Sequence, residues 1–327
     1  MSDEILAVRE LAVRFARYDG ETHVLNGVNL TVRRGERVAL VGESACGKTL
    51  TVRAAIGLAD LRRASVLGAI EFDGRDVLRF GARDWRGVRG RQMTMIFQDP
   101  LAALNPVFTV ADQLTTVILR GGGAPTRSVA LPVARDALRA VGIQDPDRVL
   151  AAYPFQLSGG LNQRVMICMA LVNRPDLILA DEPATALDVT VQAQTLALMR
   201  DLTERSGTAV LLITHNLGVV REFAQRVYVM YAGAVVEEAT VEALFAAPRH
   251  PYTRALLASV PRLTGGELPE GIPGAVPDYR DPPSFCRFHP RCAQARPECG
   301  QGPGRTAMVE VAPGHRVACV LYADGAA

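Results

Sequence analysis

One lysine stands among the 36 Lys and Arg residues of this 327-residue chain, and it is Lys48, inside the stretch GESACGKT at 42–49. An ammonium is a compact, rotatable point charge that a planar guanidinium does not replace. The stretch follows an apolar run, Val38 to Val41, and fits the pattern G-x-x-x-x-G-K followed by Ser or Thr. That order predicts a buried strand, then a loop of Gly42, Glu43, Ser44, Ala45, Cys46 and Gly47, then a helix opened by Lys48 and Thr49. Such a loop aims successive backbone N–H groups at one point beside the positive end of a helix, the geometry that phosphate oxygens require. Lys48 is then placed for the β- and γ-phosphates of a nucleotide and Thr49 for Mg²⁺.

Other stretches extend the pattern. Apolar runs at 177–180 (LILA) and 209–213 (AVLLI) read as further buried strands, ending in Asp181-Glu182 and in Thr214-His215. Short apolar strands alternating with helices imply an α/β fold with a mostly parallel sheet and sites at the strands' C-terminal ends. Two alternating segments, 5–14 and 24–32, predict antiparallel N-terminal strands joined by the turn-like RYDGET. From about 98 to 163 the chain is helix-prone, with a helical stretch at 129–141 and the glycine-rich GGGAPT at 121–126. Pro and Gly dominate 261–283, and a boundary is expected between 240 and 265, placing domains at 1–245 and 246–327.

Hydrophobic content of 49%, charged content of 21% and a net charge of +2 describe a globular chain with a sizeable core and argue against nucleic acid as the principal partner. The arginines at 86, 89 and 91 read as a solvated face. No apolar run reaches the roughly 18 residues of a membrane span, and the acidic start, MSDEILAVRE, has no signal-peptide core. The expected location is therefore cytosolic, with any membrane contact peripheral.

Gln98 in IFQDP, LSGGLNQR at 157–164, LILADE ending at Glu182, ALD at 186–188 and His215 follow the phosphate loop in fixed order. With these elements the chain resembles the nucleotide-binding subunits of ATP-binding-cassette (ABC) transporters over roughly residues 5–240. The resemblance implies that Asp181 serves Mg²⁺ and that Glu182 is the general base for the attacking water. It also implies that Gln98 senses Mg²⁺ and the transport subunit, that His215 contacts the γ-phosphate and that Asp188 communicates across a dimer. Ser158, Gly159, Gly160 and Gln163 would serve the nucleotide bound by the opposite subunit. An aromatic residue in the first turn stacks on adenine in such proteins, here Tyr18 with Phe15 as the rival. Ala45 departs from the glycine of related loops, and its Cβ narrows backbone freedom.

RHPYTRALLASVP at 249–261 and FCRFHPRCAQARPEC…HRVAC at 285–319 resemble the oligopeptide/dipeptide branch, which also includes nickel transporters. Cys286, Cys292, Cys299 and Cys319 are spaced C-x5-C-x6-C-x19-C. This lacks the tight pair usual for zinc, and four thiolates from an irregular segment suit a 4Fe–4S cluster. Zinc and free thiols stay open as alternatives. The segment is too poor in aliphatic residues to build its own core and is expected to need a cross-link. Cys168, in VMICMALV, reads as a packing residue.

The reading is an ATPase that uses ATP and Mg²⁺ to power peptide import from the cytoplasmic side of the membrane. Its expected partners are a second homologous ATPase subunit in a heterodimer, two permease subunits and an external substrate-binding protein. Traffic in nickel, other small solutes or exported peptides is the alternative cargo, and a soluble ABC ATPase acting on ribosomes or DNA is the alternative class.

Overall fold

The structure, a computed structural model, describes residues 3–183, 189–260, 271–280, 282, 285–301 and 306–323. The chain divides into two compact units. One comprises Met1–Ile5, Val32–Glu36 and Arg79–Leu212, and the other Leu6–Thr31, Arg37–Leu78 and Ile213–Ala327.

In the first unit the strand Met93–Ile96 runs parallel to Leu177–Asp181, with Met93 opposite Leu177 and Ile96 opposite Ala180. The strand Ala209–Thr214, of which 209–212 belong to this unit, lies on the other side of Leu177–Asp181. All of Leu177–Asp181 and Ala209–Thr214 is buried, which is why these strands read as unbroken apolar runs rather than alternating ones. The helix-prone region folds as expected. Helices occupy Val110–Gly121, Arg127–Ala140, Pro146–Ala151 and Gly159–Leu171. Thr109 and Asp112 cap the first of these reciprocally, each side chain accepting from the other's backbone N–H, and Gly122 ends it at φ 83°. Cys168 is buried in the last of them.

The second unit holds two sheets. The expected N-terminal strands are present and longer than read, at Glu4–Arg17 and Gly20–Arg33, of which 6–17 and 20–31 belong to this unit. A third strand that the alternation did not reveal, Ala64–Phe72, pairs antiparallel with Glu4–Arg17, from Leu6 opposite Phe72 to Phe15 opposite Ala64. The register shifts between Arg9 and Ala12, where Glu10 has φ 50°. Gly68 lies against this bulge with its Cβ position blocked by the Glu10 backbone.

The other sheet carries the phosphate loop. Arg37–Val41 runs parallel to Arg226–Tyr231, which turns back through Ala232-Gly233 into Ala234–Thr240. Both turn residues have positive φ, at 45° and 85°, the requirement of a two-residue hairpin turn. The C-terminal segment, read as irregular, contributes Val309–Ala312 and His315–Val317, and the latter pairs antiparallel with Ala234–Thr240. It is also fastened by burial. Phe288, 3% exposed, packs edge-on to Tyr231 and beside Tyr252, with ring centroids 5.1 and 5.4 Å away. The segment, too poor in aliphatic residues for a core of its own, thus also gains an apolar anchor on Tyr231 and Tyr252.

A buried charge network adds to the attachment. Glu237, fully buried, accepts from His315 Nε2 at 2.7 Å and from the backbone N–H groups of Arg249 and His250 at 2.7 and 2.8 Å. Burial opposes its charge, yet the His315 bond and the two N–H donors hold its pKa below the ordinary value. Burial lowers His250 to about 4, so its neutral Nδ1 accepts from the Tyr252 N–H at 3.0 Å.

Candidate functional site

The loop at 42–47 leaves the buried strand Arg37–Val41 and enters the helix Lys48–Ala55. Gly42 has φ 153° and its Cβ position is occupied by the Met230 carbonyl, so no side chain fits there. Gly47, at φ 108°, is packed against Leu25 and Met230. Lys48 is 5% exposed, and its Nζ donates to the carbonyls of Gly42 and Glu43 at 2.8 and 2.9 Å. The ammonium therefore folds back over the loop, closing it into a ring. Cys46 lies beside it, buried, with its thiol pKa raised by burial. Ala45 adopts φ 61°, a left-handed conformation that glycine would take without strain.

Elements remote in sequence hold this loop, and sequence reading missed them. The Glu43 N–H donates to Tyr252 Oη at 2.8 Å. Tyr279 Oη donates to the Ala45 carbonyl at 3.1 Å, and the Gly233 N–H donates to the Cys46 carbonyl at 2.9 Å. Arg291 grips the Glu43 carboxylate with both terminal nitrogens, at 2.8 and 3.1 Å. The one available signal was that Arg287 and Arg291 sit next to Cys286 and Cys292 in a segment already singled out. Tyr18 stands fully exposed in the turn between the first two strands, whereas Phe15 is half-buried. His215 is exposed at the end of Ala209–Thr214, just before Asn216 caps the helix Leu217–Phe223.

The first unit assembles a second group of the expected residues. Asp181 is buried at the end of its strand, and Glu182 follows in a left-handed conformation, φ 49°. Such strain at a non-glycine residue persists only where the surroundings enforce it. Gln98, exposed, donates from Nε2 to Glu182 Oε2 at 3.3 Å. Ser158 caps the helix Gly159–Leu171, its hydroxyl accepting from the Leu161 N–H at 3.4 Å, and Ser158 and Gly159 lie exposed. Gln163 differs from its expected place with them. It is buried and donates to the Pro183 carbonyl, so its side chain braces the backbone at Pro183 from within. The physical reason is that the helix is exposed only at its first residues and is buried on nearly every side from Asn162 onward. Asp188 lies outside the described residues.

Cys286, Cys292, Cys299 and Cys319 all line one small cavity, together with His250 and His289. All four are free thiols. Burial pushes Cys286 up to about 11 and raises Cys292 and Cys319 as well. Among the described residues no group of three or more His, Cys, Asp or Glu side chains is arranged to hold a single metal ion.

Comparison with known proteins agrees with these features. The family model for ABC transporters matches residues 25–185, and that for the oligopeptide/dipeptide transporter C-terminal region matches 236–299. A probable peptide ABC transporter ATP-binding protein, y4tR of Sinorhizobium fredii, is 47% identical over 97% of this chain and 95% of its own length. The dipeptide transport ATP-binding protein DppD of Bacillus subtilis is 43% identical over 98% and 95%, and DppD of Escherichia coli 43% over 90% of each. Among solved structures, the dimeric post-hydrolysis state of the ATP-binding cassette MJ0796 with ADP and Pi superposes with a TM-score of 0.64. It is 26% identical and covers 72% of this chain and 98% of its own. With its phosphate loop, its Asp181-Glu182 strand end and its matched C-terminal region, the chain belongs to the ATP-binding subunits of ABC transporters, in the oligopeptide/dipeptide branch.

Proposed function

We propose that this chain hydrolyses ATP to drive the import of oligopeptides or dipeptides through separate permease subunits, working at the cytoplasmic face of the membrane. The observation that carries the reading is the closed loop around buried Lys48, on a chain whose C-terminal region is that of the peptide transporters. In this reading Lys48 and the N–H groups of 42–47 bind the phosphates, and Tyr18 offers an exposed ring for adenine. Thr49, Gln98 and Asp181 are the residues to hold Mg²⁺, which would neutralise phosphate charge. Glu182 takes the proton of the attacking water, and Gln98, bonded to it, orients that carboxylate. His215 is assigned to the γ-phosphate. Ser158, Gly159 and Gly160 face a nucleotide on the opposite subunit, for which a homologous second ATPase is the proposed partner, with Asp188 at that junction.

The docking of permease subunits is supported by exposed apolar side chains soon after Gln98. Val107 and Phe108 are 71% and 51% exposed, and Phe155 stacks openly on Tyr153. Among the described residues no helix is long and apolar enough to cross a membrane, so the translocation path is assigned to other chains. The C-terminal extension, from about residue 246, would hold a 4Fe–4S cluster on Cys286, Cys292, Cys299 and Cys319, with zinc as the alternative; a cluster there would supply cross-linking and redox sensitivity rather than hydrolysis.

The deciding experiment is uptake of labelled di- and oligopeptides by the host carrying Lys48→Arg in this chain. Loss of peptide uptake is expected. Unchanged peptide uptake with loss of nickel uptake would transfer the assignment to the metal-transport alternative.

A further inference from the structure

Every polar group of Glu43 is engaged, and by three different parts of the second unit. Its N–H is held by Tyr252, its carbonyl accepts from Lys48 Nζ at 2.9 Å, and its carboxylate is gripped from both sides by Arg291. Arg291 is built in more firmly than a surface partner would be. Its side chain is 5% exposed, its Nε donates to the Pro273 carbonyl at 2.9 Å and its Nη2 to the Ile272 carbonyl at 3.0 Å. Its Nη1 also donates to Tyr231 Oη at 3.2 Å. The guanidinium is thus fixed before it meets Glu43, and a pre-organised fork of this kind suits a planar carboxylate.

A carboxylate in this position needs an explanation. The loop of 42–47 is built to attract phosphate oxygens, and a free anion on its second residue works against that purpose. With Arg291 bound, Glu43 presents no net charge, and its backbone is fixed where the Lys48 ammonium needs an anchor. The short helix His289–Arg291 that carries the arginine is held in place by Phe288 in the Tyr231–Tyr252 cluster. We infer that Arg291 is a positioning residue for ATP binding, through which the C-terminal segment neutralises Glu43 and shapes the phosphate loop. It acts on the nucleotide through Glu43, so its effect belongs in affinity rather than in the chemical step.

The test uses the full chain with Arg291→Met, Arg291→Lys, Glu43→Gln and the double variant Arg291→Met/Glu43→Gln. Nucleotide affinity is measured by titration with a fluorescent ATP analogue, and KM and kcat are measured in the assembled transporter. Arg291→Met should weaken ATP binding by roughly tenfold or more, the scale of a lost charge-assisted pair, and should raise KM with kcat changed less than about twofold. Arg291→Lys should recover part of the affinity. The double variant should bind ATP more tightly than Arg291→Met alone, because the uncompensated anion is gone. A residue that only supported the fold would give a double variant no better than the single one, and that result overturns the inference, as does unchanged affinity in Arg291→Met. Should Arg291→Met fail to fold, Arg291→Gln, which keeps a donor for the Ile272 and Pro273 carbonyls, takes its place with the same two outcomes. The inference rests on the loop's being the nucleotide site, and Lys48→Arg separates the two. If that variant also binds ATP normally, the assignment of the loop has failed rather than the role of Arg291.

Discussion

The side-chain amide of Gln98 donates to the Glu182 carboxylate across 3.3 Å, linking a residue two places beyond the strand Met93–Ile96 to the residue that follows its parallel neighbour Leu177–Asp181. The link holds Glu182 Oε2 on the Gln98 amide. It also fixes a side chain whose backbone is held at φ 49°. Glu182→Gln keeps the shape, removes the proton acceptor and sets one amide against another. ATP should still bind, while turnover falls by about 10²- to 10⁴-fold, the usual contribution of a general base. Normal turnover in steady-state assays would show that the base lies elsewhere.

Lys48→Arg tests the loop itself. The buried ammonium makes two bonds to carbonyls of its own loop at 2.8 and 2.9 Å, and a planar guanidinium does not reproduce that compact, rotatable donor. Turnover should fall more than tenfold, a barrier increase above ~1.4 kcal/mol. Far-ultraviolet circular dichroism should stay unchanged. Activity above a tenth of the parent would refute the role of the lysine.

Ala45 gives a more graded prediction. At φ 61° its Cβ costs about 1 kcal/mol or more relative to glycine, and glycine's greater unfolded-state entropy offsets part of that gain. Ala45→Gly should therefore shift the melting temperature by no more than a few degrees. Ala45→Val, β-branched at a left-handed position, should destabilise by about 1–3 kcal/mol and weaken ATP binding with it. Equal stability of the two variants in thermal melts would remove the argument from backbone strain.

What could be read from the sequence follows the physics of each signal. The strand at 38–41, its loop and its helix were legible because the whole unit is local: an apolar run, glycines at positions that exclude a Cβ, then a helix start. The buried strands at 177–181 and 209–214 were legible for the same reason. Ala64–Phe72 was not, because Gly68, set against the bulge of the partner strand, interrupts the alternation, and only Ile70 and Phe72 of the strand are buried. The second side of the loop was not legible either. Arg291 and Glu43 are 248 residues apart, and no periodicity in any window encodes a pair at that distance. Gln163 shows the opposite failure. Its motif was found, but the motif opens on the exposed Ser158 and Gly159 and runs into a buried helix, where Asn162 and Gln163 both lie inside.

Glu237 makes the attachment of the C-terminal segment sensitive to acid. Its folded pKa lies below the ordinary value of 4.5, so its contribution is complete above that value and is lost as pH falls through the folded pKa. Lowering the pH from 7 towards 3 should release the strand His315–Val317 before the rest of the unit unfolds. Hydrogen exchange at Val317 and Ala318, both buried, reports it directly. Glu237→Gln should open the same strand at neutral pH, at a cost of about 1–3 kcal/mol, and should flatten the acid dependence below pH 5. An acid profile identical in the parent and in Glu237→Gln would assign the sensitivity to other carboxylates.

The four thiols give the last prediction. Cys286, Cys292, Cys299 and Cys319 share one cavity, yet burial raises three of them above their ordinary pKa, so as free thiols they stay protonated at neutral pH. A thiolate in such surroundings requires a cation to replace its proton. Cys286 and Cys292 lie on either side of the helix His289–Arg291, and Phe288 already anchors that helix in the aromatic cluster. Filling the cavity should therefore stiffen an attachment that exists without it, rather than create the fold. Protein prepared without oxygen should be brown and carry about four irons and four sulfides, as four-thiolate ligation of a cubane requires. Replacing any one cysteine by serine should bleach the colour. The segment should loosen in limited proteolysis while the rest of the second unit keeps its protection. Colourless protein with one zinc would replace the cluster by the alternative ion, and colourless protein without metal would leave the thiols as packing residues only.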